Sequence, residues 1–375
     1  MRTTLGHLFA GRDNNFNLMR FTAAFLVLFS HSYPLFLGAG TLDPLKSLTG
    51  ITFGALAVDV FFVTSGFLIA GSYFSRQNII AFTVARFLRI FPALWVALLV
   101  SVFTIGMLTE GRDLLRFLSD IETLEYLFFN ATLMLGLQWD LPGVFGGNPY
   151  PVAVNGSLWT LPWEITMYGL VVLIAIFAAF ASRKVPFLRV SMLIPILAVA
   201  GLLGSLLNVY FDFYAGRGLH LFAMFFIGSS LYLLKSRVVL SGSLALICCA
   251  ALIGGVYDNK VFQVIYLIVT PYLVMFLAYK PAGKVRAFNR FGDYSYGLYV
   301  YAFPVQQSVI WAFPDLGFVS LIAFSLLITM LFAILSWHLI EKPALRLKAK
   351  YVHIEMLWNK LLGKSESSHL VRGMN

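Results

Sequence analysis

Leu18-Met-Arg20-Phe-Thr-Ala-Ala-Phe-Leu-Val-Leu-Phe-Ser-His31-Ser-Tyr-Pro-Leu-Phe-Leu37 reads as a membrane span that carries two ionisable side chains. Such groups are costly inside a bilayer, so each is a functional candidate before it is a packing residue. The eleven-residue spacing of Arg20 and His31 turns a helix by about 1100°, within roughly 20° of three full turns, so both side chains leave one face. They stand about 16 Å apart along the axis. A cation near one membrane surface and an imidazole deeper on the same stripe suit a site that holds an anion at its mouth and moves protons inside. The plainer alternative is a packed histidine with an interfacial arginine.

The rest of the chain extends this first span into a bundle. Of 375 residues, 59% are hydrophobic and only 12% charged, and the mean hydropathy of +0.83 leaves too little polar surface for a soluble globule. Apolar runs of about 17 to 25 residues are long enough to span. They fall near 17–37, 50–72, 88–107, 160–182, 188–209, 219–234, 239–257, 261–279, 295–313 and 318–338. The fold class expected is therefore an all-α polytopic membrane protein of about ten transmembrane helices, which puts both termini on one side. With that side taken as cytoplasmic, all but five of the 27 basic residues lie on it, the exceptions being Lys46, Arg112, Arg116, Arg217 and Lys260. This is the bias that orients membrane proteins. The net charge of +10 is read as topology and contact with anionic lipid, not as nucleic-acid binding.

Residues 1–345 are expected to form one transmembrane domain, and 346–375 a short basic cytoplasmic tail. The long loop at about 108–158 is extracytoplasmic on this reading, acidic at Glu110, Asp113, Asp120, Glu122 and Glu125, with a re-entrant or interfacial helix expected over Leu124–Leu137. The first run is read as a retained helix, not a cleaved signal peptide. Cys248 and Cys249 sit side by side in an apolar run, where packing is the expected role; no metal site is expected.

Several polar groups share a depth with the opening pair. His31 lies about 9 Å from the outer end of its span, and Glu164, in Ser157-Leu-Trp-Thr-Leu-Pro-Trp-Glu164, about 6 to 10 Å from the same surface. A carboxylate there would hold the His31 tautomer and stabilise its protonated form. Trp159 and Trp163 are one turn apart and suit belt anchors or the walls of a sugar pocket. Asp59, about 13 Å deep in the second span, is expected to pair with an arginine or shape the site. On the inner side, Arg86-Phe-Leu-Arg89 enters the third span with both guanidinium groups on one face near the level of Arg20, a set suited to phosphates through forked hydrogen bonds.

These same residues resemble the acyltransferase 3 family, integral-membrane enzymes that acylate hydroxyls of cell-surface carbohydrates. Arg20, ten residues and His31 match one family motif. Val58-Asp-Val-Phe-Phe-Val-Thr-Ser-Gly-Phe-Leu-Ile69 resembles a second, Arg86-Phe-Leu-Arg-Ile-Phe-Pro92 a third, and Ser157 through Glu164 a fourth. Gly292-Asp-Tyr-Ser-Tyr-Gly-Leu-Tyr299 and Glu341-Lys-Pro343 are similar to its late motifs; Phe303 and Pro304 stand where many members carry a histidine. Some members also carry a fused esterase-like domain, which is not seen in this sequence.

The resemblance implies a multi-pass protein of the bacterial inner (cytoplasmic) membrane. It implies no permanently bound cofactor, acyl-CoA as donor with acetyl as the default acyl group, and a surface glycan or polyprenyl-linked oligosaccharide as acceptor, such as an exopolysaccharide or lipopolysaccharide. Arg20, Arg86 and Arg89 would then hold the CoA phosphates, His31 would act as general base oriented by Glu164, and Asp59 would belong to the catalytic group. Ser65, Ser157, Trp159, Trp163 and Tyr296 are the substrate-side candidates. Ser65 and Tyr296 are the possible acyl carriers or oxyanion donors, although direct transfer is expected because no nucleophile stands out. A homo-oligomer is compatible with all of this. The rival reading is a polytopic transporter or flippase for a lipid-linked sugar or small anion, which also needs intramembrane charge but not arginines facing a pantetheine-length path to a histidine.

Overall fold

The computed structural model describes residues 4–9, 13–106, 114–185, 188–212 and 216–347. Helices stand at all ten places where the apolar runs predict them: α1 (Phe16–Leu37), α2 (Phe53–Phe74), α3 (Ile79–Val100), α4 (Thr160–Ala181), α5 (Val190–Phe211), α6 (Gly216–Leu233), α7 (Gly242–Gly255), α8 (Asn259–Tyr279), α9 (Ser295–Ala312) and α10 (Phe318–Ser336). Among the described residues there is no strand, only isolated bridges of Thr4 with Val239 and Asp140 with Ala153. Six helical stretches among those residues are long and apolar enough to cross a membrane: Phe53–Phe74, Ile79–Ile105, Gly156–Ala181, Val190–Phe211, Asn259–Tyr279 and Phe318–Leu347. The others are shorter or more polar. The predicted tail, from residue 348 on, and Glu110, Arg112 and Asp113 lie outside the described residues.

The helix starts follow from their caps. Side-chain oxygens of Thr52, Asn78 and Asp258 accept from Ala55 N, Ala81 N, and Lys260 N with Val261 N, satisfying amides that have no partner in the first turn. The cap at Asn78 corrects the predicted third span, because the helix begins at Ile79 and not near residue 88. Arg86 and Arg89 therefore sit about 10 and 15 Å along α3 instead of at its surface end. The apolar windows missed this because two arginines lower the hydropathy of the segment.

Helix α9 is buried along most of its length. Most of its polar groups tolerate this because they find partners, Gln306 Oε1 being buried with none among the described residues. Gln306 Nε2 donates to Leu28 O (2.9 Å) and Ser32 Oγ (2.7 Å) of α1, while Gln307 Nε2 donates to Tyr150 O and Ala153 O, both 2.8 Å. Asn148 Nδ2 donates to Gln307 Oε1 (2.8 Å) and Asn155 Nδ2 to Val300 O (2.8 Å), so the long loop is seated on α9. A helix is present there over Ile121–Thr132, beginning three residues before the expected Leu124–Leu137 and ending five residues short of it, because Leu133 takes the left-handed region (φ 58°). Trp95 of α3 holds it through Nε1 to Ala131 O, 3.1 Å. Both cysteines are free thiols, Cys248 buried and Cys249 exposed.

The helix carrying the second motif is fixed by backbone contact. A Cβ on Gly66 of α2 would lie 1.9 Å from Phe225 O of α6, and one on Gly228 would lie 2.2 Å from Val63 O, so the two helices meet through reciprocal glycines. Ser229 Oγ donates to Gly66 O across the same contact (3.0 Å). Gly66→Ala and Gly228→Ala must push the helices apart, and each is expected to lower stability by about 1–3 kcal/mol. Thermal unfolding in detergent would read this, and unchanged melting temperatures would rule out the close contact.

Candidate active site

Helices α2, α3, α4 and α9, with the start of α1, enclose a cavity of about 810 Å³, counting the part that opens to solvent. Its wall gathers Arg20, Arg86, Arg89, Ser65, Glu164 and Tyr296, six of the predicted site residues from five helices. His31, Asp59, Ser157, Trp159 and Trp163 do not line it.

The three arginines have different surroundings. Arg20 Nη1 and Arg89 Nη2 both donate to Asp293 Oδ2, at 3.0 and 2.5 Å, and Arg89 Nη1 reaches Glu341 Oε2 at 3.4 Å. The second oxygen of each carboxylate is also held: Ser295 Oγ donates to Asp293 Oδ1 (2.5 Å) and Ser336 Oγ to Glu341 Oε1 (3.0 Å). Arg89 is thus committed to two carboxylates, with its guanidinium 5.9 Å from the centre of the Tyr296 ring. Arg86 has no such partner among the described residues. Its guanidinium lies over the rings of Phe82 and Tyr168, 6.0 and 5.9 Å from their centres, and its Nε is buried without a hydrogen bond.

Asp293 lies in the turn before α9. Burial opposes its ionisation, but Arg20 and Arg89, helped by Ser295, outweigh burial and hold the carboxyl well below the usual carboxylate range. A depressed folded value contributes stability that is complete above the unfolded value near 3.8 and is lost progressively as pH falls from there through the lower folded one. The stability gap between wild type and Asp293→Asn is therefore expected to be full above about pH 4 and to narrow in stronger acid. Unfolding temperature against pH for the two proteins checks it, and a gap that widens towards acid would refute the ion pairing.

On α4, Glu164 is one turn before Tyr168, and its Oε1 accepts from the Tyr168 hydroxyl. Ser65 of α2 completes a polar cluster, with Oγ 3.3 Å from Glu164 Oε1 and 3.3 Å from the Tyr168 hydroxyl. The expected pairing of Glu164 with His31 is thus corrected. His31 Nδ1 is buried with no hydrogen-bond partner, and the ring packs edge-on against Phe303 with centres 5.4 Å apart. Matched depth on two helices does not bring side chains together when they leave different faces. Phe303 is one turn beyond Tyr299, which lines the cavity, so His31 stands a turn of α9 away from it.

Asp59 pairs with no arginine, which corrects a second expectation. Its Oδ1 meets His220 Nε2 of α6 at 2.7 Å and its Oδ2 accepts from the Tyr266 hydroxyl of α8 at 2.7 Å. That cluster ties α2 to α6 and α8 on the side of α2 away from the cavity. Tyr296 donates its hydroxyl to Ile90 O (2.9 Å), which makes it a wall instead of a carrier or oxyanion donor. Ser157 is buried with an unpartnered Oγ, and its carbonyl accepts from Tyr299 (2.6 Å). Trp159 closes a 3-10 turn, and Trp163 is exposed and lies on Gly218 of α6.

Asp293, Glu341, Tyr168, His220 and Tyr266 carry this geometry without having been singled out for it. Asp293 and Glu341 fall within quoted motifs, and Tyr168 follows Glu164 at helical spacing, so those three left a local signal. His220 left the same signal as His31, an ionisable group inside an apolar run, whereas Tyr266 left none.

The Acyltransferase domain family matches residues 13–338. The chain is similar to a protein named O-acetyl transferase from Shigella phage Sf6, 30% identical over 342 residues, which cover 88% of this chain and 96% of that one. It is also similar to Nodulation protein 10 of Rhizobium leguminosarum bv. viciae, 29% identical over 380 residues, with 92% and 96% covered. No solved structure matches it. The matched stretch holds every wall residue of the cavity, and at that length it establishes that this chain belongs to the acyltransferase 3 family.

Proposed function

We propose that this protein is a membrane-bound O-acetyltransferase that moves an acyl group, acetyl by default, from cytoplasmic acyl-CoA to a hydroxyl of an extracytoplasmic polysaccharide or lipid-linked glycan. The observation that carries this reading is the cavity itself: Arg86, a guanidinium with no ion pair among the described residues, faces the same enclosed space as a carboxylate and two hydroxyls. A guanidinium whose Nε has no hydrogen bond and which makes no ion pair among the described residues fits an anionic ligand, and the CoA phosphates are such a group. The name of the phage relative supports acetyl as the group moved.

In this reading the chain crosses the inner membrane of a bacterium ten times with both termini in the cytoplasm, as the distribution of lysine and arginine favours. Arg86, with Arg20 beside it, holds the donor. His31, a turn further along α9 from the cavity, takes the proton of the acceptor hydroxyl through its unpartnered imidazole.

The test is transfer of labelled acetyl from acetyl-CoA to extracted surface glycan by purified protein in lipid. Arg86→Ala is expected to raise the KM for acetyl-CoA about 10- to 100-fold, the worth of a hydrogen bond to a charged group, with kcat changed far less. Folded wild type that transfers nothing across several acyl donors and glycans would defeat the reading and favour a transporter.

A further inference from the structure

The geometry points to Ser65 as a covalent carrier of the acyl group, with Glu164 as its base and Tyr168 as the positioning residue that holds Glu164. This rests on the donor and acceptor sides proposed above and goes further by replacing direct transfer with two half-reactions.

A nucleophile, a base within reach of it and a third group that orients the base is the arrangement by which hydroxyls become nucleophilic. Here Ser65 Oγ is 3.3 Å from Glu164 Oε1, and Tyr168 donates to that same oxygen from one turn along α4. The separation of Ser65 from the carboxylate is long, as such pairs often are before substrate closes the site. Tyr168 is a poor carrier because its hydroxyl is already spent on Glu164 and its residue is buried. Ser65 lines the cavity and is only half-buried.

Position along the bundle argues the same way. Ser65 stands twelve residues, about 18 Å, from the start of a 22-residue helix. An ester there lies between the two ends of the helix, so a donor from one side and an acceptor from the other need never meet. His31 is set apart from Glu164, as two half-reactions with separate bases require.

In the first half-reaction the Ser65 proton passes to Glu164 as Oγ attacks the thioester carbonyl. The oxyanion collapses, the C–S bond breaks and CoA leaves as thiolate, to be protonated by solvent. In the second, the acceptor oxygen attacks the Ser65 ester while its proton passes to His31, which then releases it to solvent and so balances the proton taken up by the CoA thiolate. Glu164 returns the proton it holds to Ser65 Oγ as the ester bond breaks.

The experiment omits acceptor. Purified protein in lipid nanodiscs receives acetyl-CoA and radiolabelled CoA, and exchange of label into acetyl-CoA is followed, with acetyl-CoA affinity measured separately by titration. Wild type is expected to catalyse exchange and, from labelled acetyl-CoA, to acquire base-labile label on the peptide containing Ser65. Ser65→Ala should bind acetyl-CoA as wild type does and show neither, while Ser65→Cys should acquire label that neutral hydroxylamine releases. Tyr168→Phe should slow exchange with acetyl-CoA affinity and melting temperature retained. Glu164→Gln should slow exchange on the order of 10²–10⁴-fold. Wild type that binds acetyl-CoA and acetylates glycan but neither exchanges nor labels would overturn the carrier and leave the transferase standing. Exchange that survives Ser65→Ala would also overturn it. Failure of wild type to bind acetyl-CoA would sink the donor assignment and the carrier together.

Discussion

Arg89→Ala is expected to yield little folded protein. Its guanidinium is the meeting point of Asp293, before α9, and Glu341, in the π-helical turn Trp337–Glu341 that follows α10, and only 12% of its side chain is exposed. Removing one member of a buried ionic network costs about 3–5 kcal/mol, because the carboxylates stay behind in an environment that no longer solvates them. That is a large share of a typical folding stability of about 5–15 kcal/mol. Asp293 keeps Arg20, so Glu341 bears most of the loss. Arg89→Met combined with Glu341→Gln removes charge from both sides and is expected to recover part of the melting temperature. Monodispersity and thermal unfolding of the three variants in detergent decide the matter. An Arg89→Ala protein as heat-stable as wild type would mean that Arg89 is available to ligand, as its motif alone suggests.

His31→Gln is expected to do the reverse, leaving the protein folded and the donor bound while transfer to acceptor falls by about 10²–10⁴-fold, the usual worth of a general base. The stability expectation follows from its surroundings. His31 Nδ1 has no hydrogen bond to lose, and its ring contact is with Phe303, so the change strands no buried partner. Glu164 is occupied by Tyr168 and Ser65, so Glu164→Gln should not reproduce the His31 defect by loosening its imidazole. Acetyl transfer to glycan, measured beside acetyl-CoA binding and melting temperature, separates these effects. Full transfer by folded His31→Gln would remove the histidine from the mechanism.

Two residues of similar appearance in the sequence proved to have unlike neighbours. Arg86 and Arg89 share a helix face and a motif, and nothing local separates a ligand-facing guanidinium from one clasped by carboxylates. Their difference lies in Asp293 and Glu341, which are 204 and 252 residues from Arg89 along the chain. Glu164 shows the same limit. Its depth was readable from the count of residues into α4, and so was a tyrosine at the next turn, but the side of the helix facing α2 was not.

By itself, then, the sequence determined the helical membrane class, the approximate places of ten helices and the family, while the gathering of Arg20, Arg86, Arg89, Ser65, Glu164 and Tyr296 around one cavity came from the fold. Hydropathy, spacing and caps act along a single chain axis, and those features depend on nothing else. Only the tertiary structure decided that Asp59 belongs to His220 and Tyr266, that Glu164 belongs to Tyr168 and Ser65, and that Arg89 is already neutralised. Those pairings depend on which helices become neighbours and how each is rotated. Small-residue contacts such as Gly66 on Phe225 set that order, through steric fit between segments far apart in the chain.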